Sequence, residues 1–504
     1  MTARAPVAPL LVLGGVVAGV LAGEAVGPGT AGLALGAGAL GVALATACRR
    51  GHVRVACAVL GFALLGSAAM QRALHGMADS PLAGAISARA EGTVRGTLVD
   101  DPEGDRFSST VLLRAEARRG GRTLVVDATG DAGPRLALMS AGEGVTLRGW
   151  LEPLTGYDTR WRWRHAVGTL HATELLAARP TRSSLDRIAN SARAVVLRGS
   201  SGLAPVDRAV VAGFLLGDTR AVPDDVEQEF RASGLTHLMA VSGENVAFVL
   251  ALFAPALRRM SLGGRLVGGL AVLVLFGTMT RWEPSVLRAI VMAVIGLLAG
   301  YLGRPATGLR ALTLAVTALL LADPFLLHSV GFLLSCGASA GIALLAGPIA
   351  VRIHGPLWMR EVLAVTAAAQ VGVAPVLLTV FGSLPLVSLP ANLVAVPLAA
   401  PLTIWGLASG VIGGLVRPVA PQVTSLLAVP TGALVHALLA VADVASRVPV
   451  AIDARAALGL VALVALALAG RRAHLTRKVR GHEPSERDSS VRDRTEAGPG
   501  RSGA

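Results

Sequence analysis

The sequence predicts a polytopic α-helical membrane protein that carries one small extracytoplasmic β domain. Three observations predict it. Only 15% of the 504 residues are charged and mean hydropathy is +0.62, whereas a soluble globular domain carries about 25% charged residues. Windows such as 8–22, 55–70, 264–280, 286–303 and 455–470 run with almost no charge, the signature of membrane-crossing helices. Arg-bearing loops fall at every second turn of the apolar region, the pattern of cytoplasmic loops in a multi-pass chain.

Three apolar segments open the chain, near 8–25, 31–48 and 53–73, within an N-terminal membrane region 1–80. The first lacks a small-residue cleavage site before a polar mature region, so it reads as a retained helix and not a signal peptide. Arg49, Arg50 and Arg54 put the loop after the second segment inside, and with it the N-terminus. Residues 86–177 then change character. "EGTVRGTLVDD", "STVLLRAEA", "RTLVVDATG" and "GVTLRGWLEP" alternate apolar and polar residues between Gly-rich turns, which reads as a small β-barrel or sandwich. Residues 182–233 are amphipathic and helical in pattern, too short in apolar run to cross a bilayer, and packed on the bundle or the membrane surface. Asp224, Asp225 and Glu227 after Pro223 mark a helix N-terminus, where the dipole favours negative charge.

Apolar segments recur to residue 470. The Arg-bearing loops 258–265, 303–310, 351–360, 416–418 and 471–480 alternate with 280–285, 322–325, 382–388 and 446–455. The alternation is self-consistent for about twelve spans with both termini in the cytoplasm. The polar stretch 471–504 lacks aromatics and reads as a disordered cytoplasmic tail. The net charge of +14 fits positive-inside loops and a basic composition better than a polyanionic partner read from charge alone. Cys48, Cys57 and Cys336 lie in or beside apolar runs without metal-ligand spacing, as inert buried thiols do. No metal motif, phosphate loop or catalytic triad is present, and the sequence calls for no cofactor and no ATP-hydrolysing machinery of its own.

Five constellations carry polar groups into this apolar frame. In "GLTHLMAVSGENV", His237 and Glu244 are seven apart and share a helical face. Ser242-Gly243 weakens or breaks the helix just before Glu244 and Asn245. The alternatives are an interfacial helix cap or a broken helix facing a wet cavity, and the ionisable Glu244 favours the second. Arg288 sits inside an apolar helix three residues after Ser285. It either snorkels to the interface or faces a polar interior, alone or paired with Glu283 or Glu244. Asp323-Pro324 reads as a helix start, and Gly331, Ser335, Gly337, Ser339 and Gly341 after it form a small-residue stripe for close packing or a pore lining. Gln370, Pro375, Asn392 and Pro397 punctuate two further apolar helices, as at a transport path or as kinks with hydrogen bonds between neighbours. In the β domain, Arg160, Trp161, Arg162, Trp163 and Arg164 interleave cations with stacking platforms. That composition suits a nucleic-acid surface or, slightly preferred, an interfacial anchor.

Taken together, "GFLLGDTRAVPDDVEQEFRASGLTHLMAVSGENVAFVLA", "RAIVMA", "DPFLLHSVGFLLSCGASAGI" and "QVGVAPVLLTVFGSLPLVSLPANLVAVPL" resemble the ComEC family of competence proteins over about 200–410. Residues 86–177 fit, more weakly, the OB-like extracytoplasmic domain that precedes that core. The resemblance implies a channel domain over 182–470 in the cytoplasmic membrane. It also implies passage of single-stranded DNA along a wet lumen lined or gated by the polar groups named above. The expected partners are a DNA receptor, a separate nuclease, a motor and, in a homodimer, a second copy of the chain. Two departures stand out. Many members continue into a metallo-β-lactamase-like domain, whereas this sequence runs into a polar tail without a His-rich metal motif, so no nuclease activity is expected of it. Where many members carry Leu-His after "SG", this sequence has Glu244-Asn245. The competing readings are a small-solute or lipid-linked-intermediate transporter on a diverged scaffold, and a structural membrane partner.

Overall fold

The computed structural model describes residues 7–453, except 105–106, 117–120, 240, 305–306, 386 and 449–450. The expected last span (455–470) and the tail (471–504) lie outside the described residues.

Helices α1 (Val7–Val26), α2 (Ala31–Ala47) and α3 (Gly51–Ala78) open the chain as expected. Small residues set their packing. Gly15, Gly19 and Gly23 recur every fourth residue on α1 and lie against the backbone of Val59, Ala63 and Ser67 on α3, so closely that a Cβ would collide. Gly38 and Gly41 of α2 meet Gly61 of α3 in the same way. In lipid, where helix association has no hydrophobic drive, such backbone contact supplies the attraction.

A short helix α4 (Ala83–Ser87) leads into strands β1 (Glu91–Leu98), β2 (Glu103–Gly104), β3 (Ser109–Ala115) and β4 (Arg122–Ala128). Helix α5 (Ala132–Ala137), β5 (Gly144–Glu152) and β6 (Ala166–Arg179) complete the domain. The strand order is β1-β5-β6-β4-β3-β2, and β1 also pairs with β3, which closes β1, β5, β6, β4 and β3 into a barrel. Only the β4–β6 pair is parallel. This is the Greek-key order of an OB-like barrel, with α5 in the usual place between its third and fourth strands. Alternation does the sorting: Val111, Leu113, Leu124 and Val126 fill the barrel with Val145, Leu147 and Leu170. Leu112 and Val125 point outward and pack with Ala166, Leu154 and Trp161.

The rest is helical: α6 (Ser184–Gly199), α7 (Pro205–Leu216), α8 (Asp224–Ala232), α9 (Thr236–Met239), α10 (Gly243–Arg258), α11 (Leu262–Met279), α12 (Pro284–Tyr301), α13 (Gly308–Ala322), α14 (Val330–Ala350), α15 (Leu357–Val380), α16 (Ser388–Val416) and α17 (Pro421–Ser446). Among the described residues nine helices are long and apolar enough to cross a membrane, namely α1–α3, α11, α12 and α14–α17. Helix α13 is apolar but shorter. The segment 388–416 is one helix despite Pro397 and Pro401. From Ala209 to Leu216 helix α7 is buried on all sides, with Val210, Val211, Phe214, Leu215 and Leu216 at the centre of the main helical core, so this part of 182–233 packs inside the bundle. Helix α10 packs on α12, α12 on α14, α14 on α15, α15 on α16, and α16 back on α10. The five form a closed ring.

Candidate functional site: a helix break and a ring of polar junctions

The break expected at Ser242-Gly243 is present. Helix α9 ends at Met239 and α10 begins at Gly243, with Ser242 extended (φ −93°, ψ 162°). A break frees backbone groups that an apolar surrounding cannot satisfy. Here α12 supplies one partner, because the Ser285 hydroxyl donates to the Val241 carbonyl at 2.9 Å. One turn further along α12, Arg288 reaches the other side of the break. Its Nη2 lies so close to Gly243 that a Cβ there would collide with it. Arg288 is only 6% exposed. Its Nε donates to the Ser335 hydroxyl on α14 at 2.8 Å, and its Nη1 donates to the Met292 sulfur at 2.8 Å. Neither Glu244 nor Glu283 pairs with it, and no described acidic side chain lies within ion-pair distance of it.

The remaining expected residues fall at the other junctions of the ring. Asn245, 4% exposed, donates from Nδ2 to the Phe214 carbonyl at 3.1 Å, and its Oδ1 accepts from Thr403 of α16 at 3.4 Å. Gln370 of α15 donates to the Ser388 hydroxyl of α16 at 3.0 Å. Asn392 is buried on α16 with its Oδ1 unpartnered among the described residues. Helices α14 and α15 meet through bare backbone: Gly337 and Gly341 lie against Gly372 and Ala368, so this part of the small-residue stripe serves packing. Glu244 and His237 are exposed. The structure therefore brings Gly243, Arg288 and Ser335 into one contact and joins Gln370 to Ser388. It gives Asn245 a packing role between α10, α7 and α16.

The Arg-Trp segment of the barrel makes contacts within the barrel and with the helical domain. Trp161 covers the outward side of β3 and β4, against Leu112 and Val125. Trp163 stacks on His328, ring centres 3.7 Å apart, and meets Phe325 edge-on. His165 pairs with Asp323 at 3.1 Å, while Asp323 also caps the following turn through the Phe325 N–H. The guanidinium groups of Arg160 and Arg164 lie over Trp161, and that of Arg162 over Trp163. The segment anchors the barrel to the helical domain.

A second anchor was not foreseen from the sequence. Asp101, in the loop after β1, accepts from Arg281 through Nη2 at 2.6 Å and Nε at 3.2 Å, from Arg193 at 2.8 Å and from the Ala141 N–H at 2.9 Å. Arg193 also donates to the last carbonyls of α7 and α11, Leu216 at 2.9 Å and Met279 at 2.6 Å. A cation suits two helix C-termini. Asp218 joins through Arg193 and Arg220. Burial alone would raise the Asp101 carboxyl, but Arg193 and Arg281 overcome that and hold it below the usual carboxylate range. Asp218 is held low against burial in the same way by Arg220 and Arg193. Arg281 and Trp282 both sit at φ 55°, a left-handed turn that costs roughly 1–2 kcal/mol per residue and that aims Arg281 at the barrel. The acidic pair at 100–101 and the "GDTR" stretch at 217–220 were visible in the sequence, but nothing there said that they meet.

Fold and site together define a class: a polytopic helical membrane protein with an OB-like barrel inserted between its first three helices and its main helical domain. The particular family follows from comparison with known proteins. The family model for Competence protein matches residues 214–476, just over half of the chain, and the chain belongs to that family. Among curated proteins it is similar to ComE operon protein 3 of Bacillus subtilis (strain 168), at 28% identity over 215 residues, 42% of this chain and 27% of that protein. It is also similar to the uncharacterized protein YcaI of Escherichia coli (strain K12), at 30% identity over 215 residues, 39% of this chain and 28% of that protein. The matched stretch thus spans only about a quarter of either relative. No solved structure matches the chain.

Proposed function

We propose that this protein is the membrane channel through which single-stranded DNA is imported across the cytoplasmic membrane during natural transformation. The observation that carries this reading is the ring of α10, α12, α14, α15 and α16. Polar groups stand at its junctions, Arg288 with Ser335 and Gln370 with Ser388. Membership of the competence family supports it. A strand of phosphodiesters needs a hydrated lumen, and intramembrane polar side chains are kept where they serve such a lumen. Glu244 and His237 stand at the mouth of the broken helix, and Ser242, Gly243 and Arg288 line its neck. Ser335, Gln370 and Asn392 line the wall.

On this reading both termini are cytoplasmic and the barrel faces outward, with Arg160 and Arg162 meeting phosphates as the strand arrives. A DNA receptor, a nuclease and a motor are separate proteins. Deleting the chain in a transformable host tests the reading. Uptake of labelled DNA is lost while the membrane potential stays intact. Normal uptake in the deletion strain sinks the proposal. Purified protein supplied with divalent metal ions leaves DNA undegraded on a gel.

A further inference from the structure

We propose that the helix break and Arg288 together form a seat for a single oxyanion, and that the oxyanion it takes is one phosphodiester of the passing strand. Three observations converge. Helix α10 is 16 residues long, and its N-cap Ser242 makes no side-chain cap bond. The Asn245 N–H meets the Ser242 carbonyl at 3.1 Å, which leaves the N–H groups of Gly243 and Glu244 without a partner among the described residues, at the end of the helix that carries the positive pole of the dipole. Arg288 is 94% buried, being 6% exposed, and its cationic fork is answered only by a hydroxyl and a thioether. Both are weak acceptors for a guanidinium, and a buried cation without an anion is costly. The third guanidinium nitrogen, Nη2, makes no hydrogen bond among the described residues. It lies against the bare Cα of Gly243, the first residue of α10.

The helix end and the free edge of the guanidinium thus converge on one point, from α10 and from α12. A phosphate group there accepts from the helix N–H groups and, in a charge-assisted hydrogen bond, from Nη2. Gly243 is needed because any side chain would displace Nη2. Glu244, exposed in the same turn, opposes the anion. Its repulsion keeps the seat weak enough to release the strand, as conduction requires.

The seat itself stands on this geometry. Only the identity of its occupant rests on the DNA-channel reading. The test uses the full chain in nanodiscs. Inorganic phosphate and a fluorescent single-stranded oligodeoxynucleotide serve as probes, beside an oligonucleotide with an uncharged methylphosphonate backbone. Arg288→Gln is expected to weaken phosphate and oligonucleotide binding about tenfold or more, as loss of a charged hydrogen-bond donor does. Arg288→Lys restores part of it, Gly243→Ala lowers binding with the charge retained, and Glu244→Gln tightens it. The methylphosphonate probe binds wild type no better than Arg288→Gln.

Unchanged phosphate binding in folded Arg288→Gln and Gly243→Ala overturns the seat. Where Arg288→Gln fails to fold, Gly243→Ala and Glu244→Gln decide, and an unchanged affinity in both again overturns it. Phosphate binding lost in Arg288→Gln with normal cellular DNA uptake keeps the seat and removes the strand as its occupant. Native mass spectrometry then shows a retained phospholipid in wild type that Arg288→Gln lacks. Uptake lost on deletion of the chain but normal in both variants, with phosphate binding unchanged, removes the seat and keeps the channel.

Discussion

Asp101 joins the barrel to two arginines of the helical domain. Its carboxylate receives two arginines and a backbone N–H. Removing one partner of a buried pair leaves the others uncompensated, at a cost of about 3–5 kcal/mol. Asp101→Asn is therefore expected to free the barrel from the helices, read as faster proteolysis of 86–177 in the intact protein. The pH dependence follows from the depressed carboxyls. Asp101 and Asp218 titrate lower in the folded protein than in the unfolded chain, so their contribution is complete above the ordinary carboxylate range. It is lost as pH falls below about 4 toward the folded values. Proteolytic release of the barrel stays flat from neutral pH down to that point and rises below it. Flat release through the acid range refutes the account. Asn245 belongs to the same scale. Asn245→Ala strands the Phe214 carbonyl and is expected to cost about 1–3 kcal/mol, seen as a lower melting temperature.

At the scale of elements, glycine spacing decides which helices touch. The four-residue stripe Gly15, Gly19, Gly23 was in plain view in the sequence, yet only the structure shows that it faces α3. On α14, Gly337 and Gly341 play the same part against Gly372. Gly372→Leu is expected to push α14 from α15 and to lower the yield of folded protein. The same change at Gly296, with no atom within 4 Å of where a Cβ would stand, leaves the yield unchanged. Equal yields from the two variants sink the packing account. The break before α10 was legible because Ser-Gly, an acid and an amide interrupt an apolar run. Its partners Ser285 and Arg288 lie more than 40 residues on along the chain, and spacing cannot reveal them.

At the scale of the whole molecule, two clusters of side chains tie the barrel to the helices among the described residues, beside the hydrogen bond from Asn190 of α6 to the Ala141 carbonyl. One is the Asp101 cluster, and the other is Trp163 on His328 with His165 on Asp323. Cysteines introduced at 165 and 323 are expected to join through a short thiol-reactive cross-linker in membranes, with none of the product when only one is present. Absence of the cross-link in folded protein means that the barrel does not dock this way. The Arg-Trp segment shows why this was not legible. Its composition suits DNA, lipid or protein equally, because a Trp ring stacks on whichever flat partner it meets. Which one it meets depends on the placement of Phe325 and His328, well over a hundred residues away.

The sequence by itself determined the membrane class, the first three helices, the inserted β domain and the broken helix. Each depends on local pattern: runs of apolar residues, alternation with period two, and residues that interrupt a helix. The tertiary structure alone decided the closure of the barrel, the ring of five helices and the meeting of Arg288 with Gly243 and Ser335. It alone showed that Asn245 packs between helices and that Asp101 joins two domains. These are contacts between distant residues, and a side chain's chemistry names what it can bind without saying what the fold places beside it.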